Sequence, residues 1–244
     1  MVDGGGAGAV PDDMIRVVPE TGSTNADMLA LAAAGAAEGS WLRAERQTAG
    51  KGRQGRAWES PVGNLYASTL VRLRADDPPA PTLALVAAVA LAHVVDTAGC
   101  PAVRIKWPND LMVDGAKVAG ILLERSGDAI VIGYGLNVQS APAIEGRATA
   151  SLQGRIWPMP VTELFDMLIA ETREWLHIWR TQGIEAIIRR WLQMGYDRGT
   201  ALTARLPDGT VVDGLFEGLS AEGALMLRTP SGMELIHAGD VFLL

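Results

Sequence analysis

The sequence is poor in the side chains on which most covalent and metal chemistry depends. Its 244 residues include one cysteine and three histidines. Cys100 cannot close an intramolecular disulfide, so nothing in the chain asks for an oxidising compartment. It stands between Gly99 and Pro101 at an expected helix exit and reads as a small packing residue. His93 has no histidine or cysteine at ligand spacing and reads as a core or partly buried residue. His177 has no evident partner, and His237 reads as a surface residue. No Ser/His/Asp or Cys/His nucleophile set emerges. Positive charge is also short, with 21 Lys and Arg against 28 Asp and Glu and a formal net charge of −7. That balance argues against a protein built chiefly to grip nucleic acid. The most apolar run, Leu83 to Val95, is interrupted by His93 and is shorter than the ~20 residues that span a bilayer. Residues Met1 to Pro11 lack a basic start and a long apolar core, so 1–13 reads as a flexible tail and not as a signal peptide. The expectation is a cytoplasmic protein with no membrane partner.

What is present describes a well-cored chain, 48% hydrophobic with mean hydropathy +0.16. Its length suits one large domain, or a large one with a small appendage. The segment Gln47 to Trp58 stands apart, because it has almost no apolar side chains and lies between two expected strands. Gly50, Gly52 and Gly55 leave backbone amides uncovered and allow positive φ. Lys51, Arg53 and Arg56 alternate with them, so amides and cations can converge on one anion. The spacing is not that of a Walker A loop. A solvated basic turn would read the same way in isolation. On an acidic chain, a local basic loop favours a small anionic ligand.

In chain order, Met14 to Val18 reads as a strand and Ala26 to Ala34 as a helix closed by Gly35. Ser23 or Thr24 can cap that helix, and Thr24 with Asp27 fits a capping box. The same Ser-Thr-Asn25 cluster presents hydroxyls, an amide and free N–H groups to a polar ligand. Strands are expected at 41–46 and 65–73, and a buried helix at 82–98. From Val103 the pattern is an antiparallel meander, with a hairpin signal at Asp114-Gly115 and another turn at Gly127-Asp128. Gly133 and Gly135 interrupt its last strand, where they let something approach the sheet closely. After a long loop, 140–160, two helices are expected at 161–180 and 184–196, with Trp175, Trp179 and Trp191 in the core. Five short strands then alternate with turns after Gly199, which suggests a small barrel.

Lys106, in Lys-Trp-Pro-Asn-Asp110, ends a strand just before a proline turn and can project over the sheet edge. An exposed hairpin lysine is the ordinary reading. Its company changes that: a basic glycine loop, a glycine-interrupted strand and a polar helix start. Together these motifs closely resemble the catalytic core of biotin protein ligases. Thr21 to Asn25, Gln47 to Arg56, Lys106 to Asp110, Lys117 with Ala119-Gly120-Ile121, and Gly133 to Asn137 follow one another as the family motifs do. The likeness covers roughly 14–244. It implies an α+β fold, a mixed and largely antiparallel sheet with helices on one side, related to class II aminoacyl-tRNA synthetases. A catalytic domain over 14–198 and an SH3-like barrel over 199–244 would follow.

The resemblance implies that the biotin carboxylate attacks the α-phosphorus of MgATP, and that a lysine of a biotin carboxyl carrier protein then attacks biotinyl-5'-AMP. Lys106 would bridge carboxylate and α-phosphate, with Arg53 as the second catalytic cation. Ser23, Thr24, Asn25 and Gln47 would bind the ureido end of biotin, with Lys51, Gly52, Gly120 and Gly133 completing its site. Lys51, Arg53, Arg56, Trp58, Asn109, Lys117 and Asn137 would contact the nucleotide or adenylate. Mg²⁺ is expected to arrive with ATP through few protein ligands, so no protein metal site is assigned. Members with an N-terminal helix-turn-helix bind operators; the residues before Met14 are too few for one, so no DNA binding is expected. Relatives can pair through sheet edges, which allows a homodimer. A lipoate-type ligase and a non-enzymatic biotin or adenylate sensor are the competing readings.

One departure is informative. The family's Gly-Arg-Gly-Arg is Gly50-Lys51-Gly52-Arg53 here, and lysine keeps the charge but loses the planar two-pronged geometry. The loop is therefore expected to hold biotinyl-5'-AMP less firmly than an arginine version. Adenylate release measured in wild type and Lys51→Arg should be slower in the variant; equal or slower release from wild type refutes the idea.

Overall fold

Turn chemistry and hydrophobic alternation resolve into twelve strands and four α-helices in the computed structural model, which describes residues 14–243. The segment read as a flexible tail, 1–13, lies outside the described residues. The first part of the chain contributes β1 (Ile15–Thr21), α1 (Thr24–Ala33), β2 (Trp41–Gln47), β3 (Leu65–Arg72) and α2 (Leu83–Thr97). The meander follows as β4 (Arg104–Lys106), β5 (Asp110–Val113), β6 (Ala116–Ser126) and β7 (Ala129–Leu136). Helices α3 (Val161–Gln182) and α4 (Ile184–Met194) precede β8 (Ala201–Arg205), β9 (Val211–Leu219), β10 (Leu225–Thr229), β11 (Gly232–Ile236) and β12 (Asp240–Leu243).

The seven-stranded sheet runs β1-β2-β3-β7-β6-β5-β4. Only β1 and β2 pair in parallel; the other neighbours are antiparallel, so the sheet is mixed as expected. Asp114 and Gly115, at φ 50° and 77°, make the tight turn between β5 and β6, the backbone geometry a two-residue hairpin needs.

Both faces of this sheet are covered, because β7 is apolar on both. Its even residues Ile130, Ile132, Tyr134 and Leu136 join the cluster built on α2, α3 and α4. Its odd residues Ala129 and Val131 pack instead with Leu42, Leu70, Met28 and Ala32 under α1. The expectation of helices on one side is corrected here: α1 has its own apolar stripe and buries it on the opposite face. The apolar stretch around α2 is also longer than the sequence reading allowed. Ala80–Thr97 is long and apolar enough to cross a membrane by length and composition, yet 67% of it is buried within this fold. It serves as the central core helix. Trp179 and Trp191 are fully buried, as expected of core residues.

The C-terminal strands form a second sheet in the order β11-β10-β9-β8-β12. The expected barrel is not closed among the described residues, since β11 and β12 lie at opposite edges. Phe216 from this sheet meets Trp191 and Tyr196 at 6.2 and 5.8 Å between ring centroids. Trp107 Nε1 donates to Gly223 O at 3.0 Å, so indole and ring contacts dock the second sheet onto the end of α4 and the turn after β4.

A charged cluster ties the end of α3 to the rest. Arg180 pairs with Glu38 and, at 3.0 Å, with Asp77, and donates to Arg72 O at 2.9 Å. Partial burial opposes ionisation of Glu38, but hydrogen bonds from Arg180 and the Arg72 amide, with the charges of Arg180 and Arg74, outweigh it and hold the carboxyl below its ordinary value. A carboxyl lowered in the folded state adds stability that is present above its unfolded pKa and is lost as pH falls through the folded one. Arg180→Ala is therefore expected to cost on the order of 3 kcal/mol near neutrality. The loss should shrink on acidification, read from urea unfolding at a series of pH values.

Candidate functional site

The site begins where α1 stops covering the sheet. Along the α1 face of β7 the side chains run Ala129, Val131, Gly133, Gly135, spaced about 6.6 Å apart along the strand. The first two pack under the helix; the next two carry no side chain, and Asn25 and Trp58 close onto them. A Cβ on Gly133 would lie 2.1 Å from Asn25 Oδ1, and one on Gly135 would lie 2.6 Å from the Trp58 indole. The two glycines are therefore required by close approach, not by φ. Beyond them Asn137 continues the row. The result is a cavity of about 420 Å³ floored by Gly120, Gly133 and Gly135.

Its polar end is the start of α1. Ser23, in extended conformation at φ −159° and ψ 125°, is the N-cap, and its Oγ accepts from Ala26 N. Asp27 does not form the expected capping box with Thr24; its carboxylate takes a hydrogen bond from Thr21 Oγ1. Thr24 is thereby left to face the cavity. Its amide donates to Gln47 Oε1 at 2.9 Å, and Gln47 Nε2 donates to Ser60 Oγ at 2.9 Å. Asn25 is buried above Gly133.

The middle belongs to Trp58 and Lys117. Lys117 Nζ pairs with Asp110 at 2.6 Å and sits 5.3 Å from the Trp58 ring. Trp58 Nε1 and Asn137 Oδ1 are buried without a hydrogen-bond partner among the described residues, and both residues line the cavity. Asn137 Nδ2 is already committed to Ala150 O at 3.2 Å. The polar atom left unpaired on Asn137 is thus an oxygen, an acceptor for an N–H group.

The far end is cationic. Arg53–Gly55 forms a short 3₁₀ turn with Gln54 at φ 56°. Of the three loop glycines only Gly55 has positive φ, at 72°. Gly50 is needed for space, since a Cβ there would lie 2.4 Å from Trp58 O. Arg53 donates to Asn109 Oδ1 and Gly239 O, both at 3.2 Å. Arg56 pairs with Asp240 of β12 at 2.5 Å, with Arg53 and Arg147 at 3.9 and 3.7 Å from the same carboxylate. Burial opposes ionisation of Asp240, but these arginines hold its pKa down.

All the sequence-predicted residues except one line this cavity: Ser23, Thr24, Asn25, Gln47, Lys51, Gly52, Arg53, Arg56, Trp58, Asn109, Lys117, Gly120, Gly133 and Asn137. Lys106 instead lines an adjoining cavity of about 150 Å³, which shares Asp110, Lys117, Arg147 and Asp240 with the first. Its Nζ lies 5.1 Å from the Phe242 ring, and burial lowers its pKa. Lys117, which lines both cavities, is the lysine of the larger one. Asp240 and Arg147 were not foreseen, because neither carries a local motif. Asp110, the last residue of Lys-Trp-Pro-Asn-Asp, lines both cavities and pairs with Lys117.

Two family models match the chain, the biotin/lipoate A/B protein ligase family over 19–137 and the biotin protein ligase C-terminal domain over 199–244. A biotin–acetyl-CoA-carboxylase ligase of Paracoccus denitrificans is 39% identical over 240 residues, 93% of this chain and 99% of that protein. The chain belongs to the biotin protein ligase family. A further biotin–acetyl-CoA-carboxylase ligase, from Mycobacterium tuberculosis, is 34% identical over 93% of this chain and 88% of its own. Among solved structures, a biotin protein ligase from Aquifex aeolicus in complex with biotin and ATP superposes with TM-score 0.82 at 25% identity, covering 94% of this chain and 98% of that one.

The Asp240 cluster predicts a measurable property of this biotin protein ligase. Asp240→Ala removes the carboxylate shared by three guanidinium groups and should loosen the basic loop. Trypsin is then expected to cut after Arg53 or Arg56 severalfold faster than in wild type, followed by mass spectrometry. Unchanged cleavage would show that Asp240 does not hold the loop.

Proposed function

We propose that the protein is an ATP-dependent biotin protein ligase that forms biotinyl-5'-AMP and transfers the biotinyl group to a lysine of a biotin carboxyl carrier domain. The observation that carries this reading is the order of groups along β7. Hydroxyls and amides stand over Gly133, an indole over Gly135 and an unpaired acceptor at Asn137, with arginines at the mouth. A cyclic urea is neutral and needs paired donors and acceptors, which Ser23, Thr24, Asn25 and Gln47 supply. The Trp58 indole, packed on Gly120 and Gly135, offers an apolar face for the aliphatic chain. The unpaired Asn137 oxygen suits an exocyclic amine of a purine.

Catalysis then consists of bringing two anions together and offsetting the charge that grows on the α-phosphate. Lys117 stands in the middle of the cavity and is the cation placed for that task. Arg53, Arg56 and Arg147 surround the nucleotide end, with Lys51 at the rim and Lys106 behind Lys117. Mg²⁺ would enter as part of the substrate MgATP, with few protein ligands. The attacking carboxylate arrives ionised and the departing pyrophosphate leaves as an anion, so the first step needs no enzyme nucleophile. In this reading, residues 14–198 form a catalytic unit related to class II synthetases. Residues 199–244 are an SH3-like unit whose last strand reaches the nucleotide end.

The test is a streptavidin blot after incubation with MgATP, biotin and a purified carrier domain. Wild type should label the carrier, and Gly133→Ala should lower the rate by roughly 100-fold, since its Cβ displaces Asn25 from the urea. A wild-type protein that binds biotin yet transfers none would leave a sensor, and preferential transfer of lipoate would mark a lipoate-type ligase.

A further inference from the structure

Around Thr24 the direction of each hydrogen bond is fixed by its neighbours, and the group that fixes it lies outside the cavity lining. Asn25 Nδ2 is 2.8 Å from Glu124 Oε2 and 3.3 Å from Leu122 O. A carboxylate and a carbonyl only accept, so the amide nitrogen must face them. Asn25 Oδ1 then faces Ser68 Oγ at 2.7 Å. A hydroxyl has one proton, and Ser68, which is fully buried, spends it there. Ser68 Oγ also lies 2.8 Å from Thr24 Oγ1. That second contact is satisfied only if the Thr24 proton points to Ser68. Gln47 Oε1 takes the Thr24 amide at 2.9 Å and, with a second lone pair, can also accept from the Thr24 hydroxyl at 3.1 Å, so the Thr24 proton is held by Ser68 or by Gln47 and in neither case by the cavity. Thr24 Oγ1 therefore presents lone pairs to the cavity.

We propose that Glu124 is a positioning residue: by holding the Asn25 amide nitrogen it sets the direction of the chain from Thr24 through Ser68 to Asn25. Thr24 is thereby made an acceptor for a urea N–H. The inference rests on the function proposed above. β6 places Glu124 opposite Val131 and Leu122 opposite Gly133, so the carboxylate reaches Asn25 from one residue pair beyond the cavity floor. Without it the Asn25 amide can turn over, Ser68 can donate to Thr24, and the cavity offers a urea N–H a weaker acceptor.

The test compares wild type, Glu124→Met, Glu124→Gln, Thr24→Val and the Glu124→Met/Thr24→Val double variant by biotin calorimetry and transfer kinetics. Glu124→Met, similar in shape but with no oxygen to accept, should raise the Kd and KM for biotin about tenfold, leaving kcat and the KM for ATP within about twofold. Glu124→Gln keeps an oxygen for Asn25 and should stay within about twofold of wild type. The double variant should be no worse than Thr24→Val alone, because both changes break the same chain. An unaltered Glu124→Met, a Glu124→Gln as impaired as Glu124→Met, or additive losses in the double variant would overturn the proposal. If Glu124→Met does not fold, Ser68→Ala replaces it in the cycle, where coupling to Thr24→Val supports the relay and additivity overturns it. A wild type that binds no biotin would overturn the function itself, a result distinct from all of these.

Discussion

Two hydrogen atoms in place of two side chains, at Gly133 and Gly135, are what the rest of the site depends on. A sheet buried on both faces normally fills every position along a central strand. β7 does so until Val131, and then carries no side chain at Gly133 and Gly135, where Asn25 and the Trp58 indole close onto the strand. The space is shaped on the other side by Asn25 and Trp58, both of which would collide with a Cβ on the floor. Helix start, loop indole and strand floor are far apart in sequence, and each makes sense only because the others are there.

Electrostatics organise the opposite end. Three guanidinium groups converge on one carboxylate, and Lys117 is paired with Asp110. Such pairs, partly exposed, add little to folding stability. Their value is positional, because like charges that would otherwise repel are kept near where an anionic nucleotide would need them. The polar end uses a different device. Its neutral groups take their donor and acceptor roles from one another, so geometry and proton direction are specified together.

Much of this was legible in the sequence because its signals are local. Asp114-Gly115 announces the hairpin, Ser23 the helix cap, and Gly50 to Arg56 a loop without apolar anchors. The two strand glycines indicated a close approach before there was anything to approach them. What could not be read was non-local. Asp240 lies 184 residues from Arg56, and Glu124 lies 99 from Asn25; neither contact has a spacing rule. Lys106 shows a subtler limit: the motif marks its neighbourhood, while the packing of Phe242 decides which cavity it lines. The face taken by α1 was likewise undetermined, since a short amphipathic helix can serve either side of a sheet whose central strand is apolar throughout.

The reach of β12 bears on how such proteins can be recombined. A boundary near Gly199 invites exchange of the C-terminal sheet between relatives as a self-contained module. Yet Gly239 and Asp240 are partners of Arg53 and Arg56, and Phe242 is the platform under Lys106. The heritable unit is therefore the terminal strand together with the basic loop and the Lys106 turn. A chimera that respects the linker but separates these three would inherit mismatched halves of a single ionic joint.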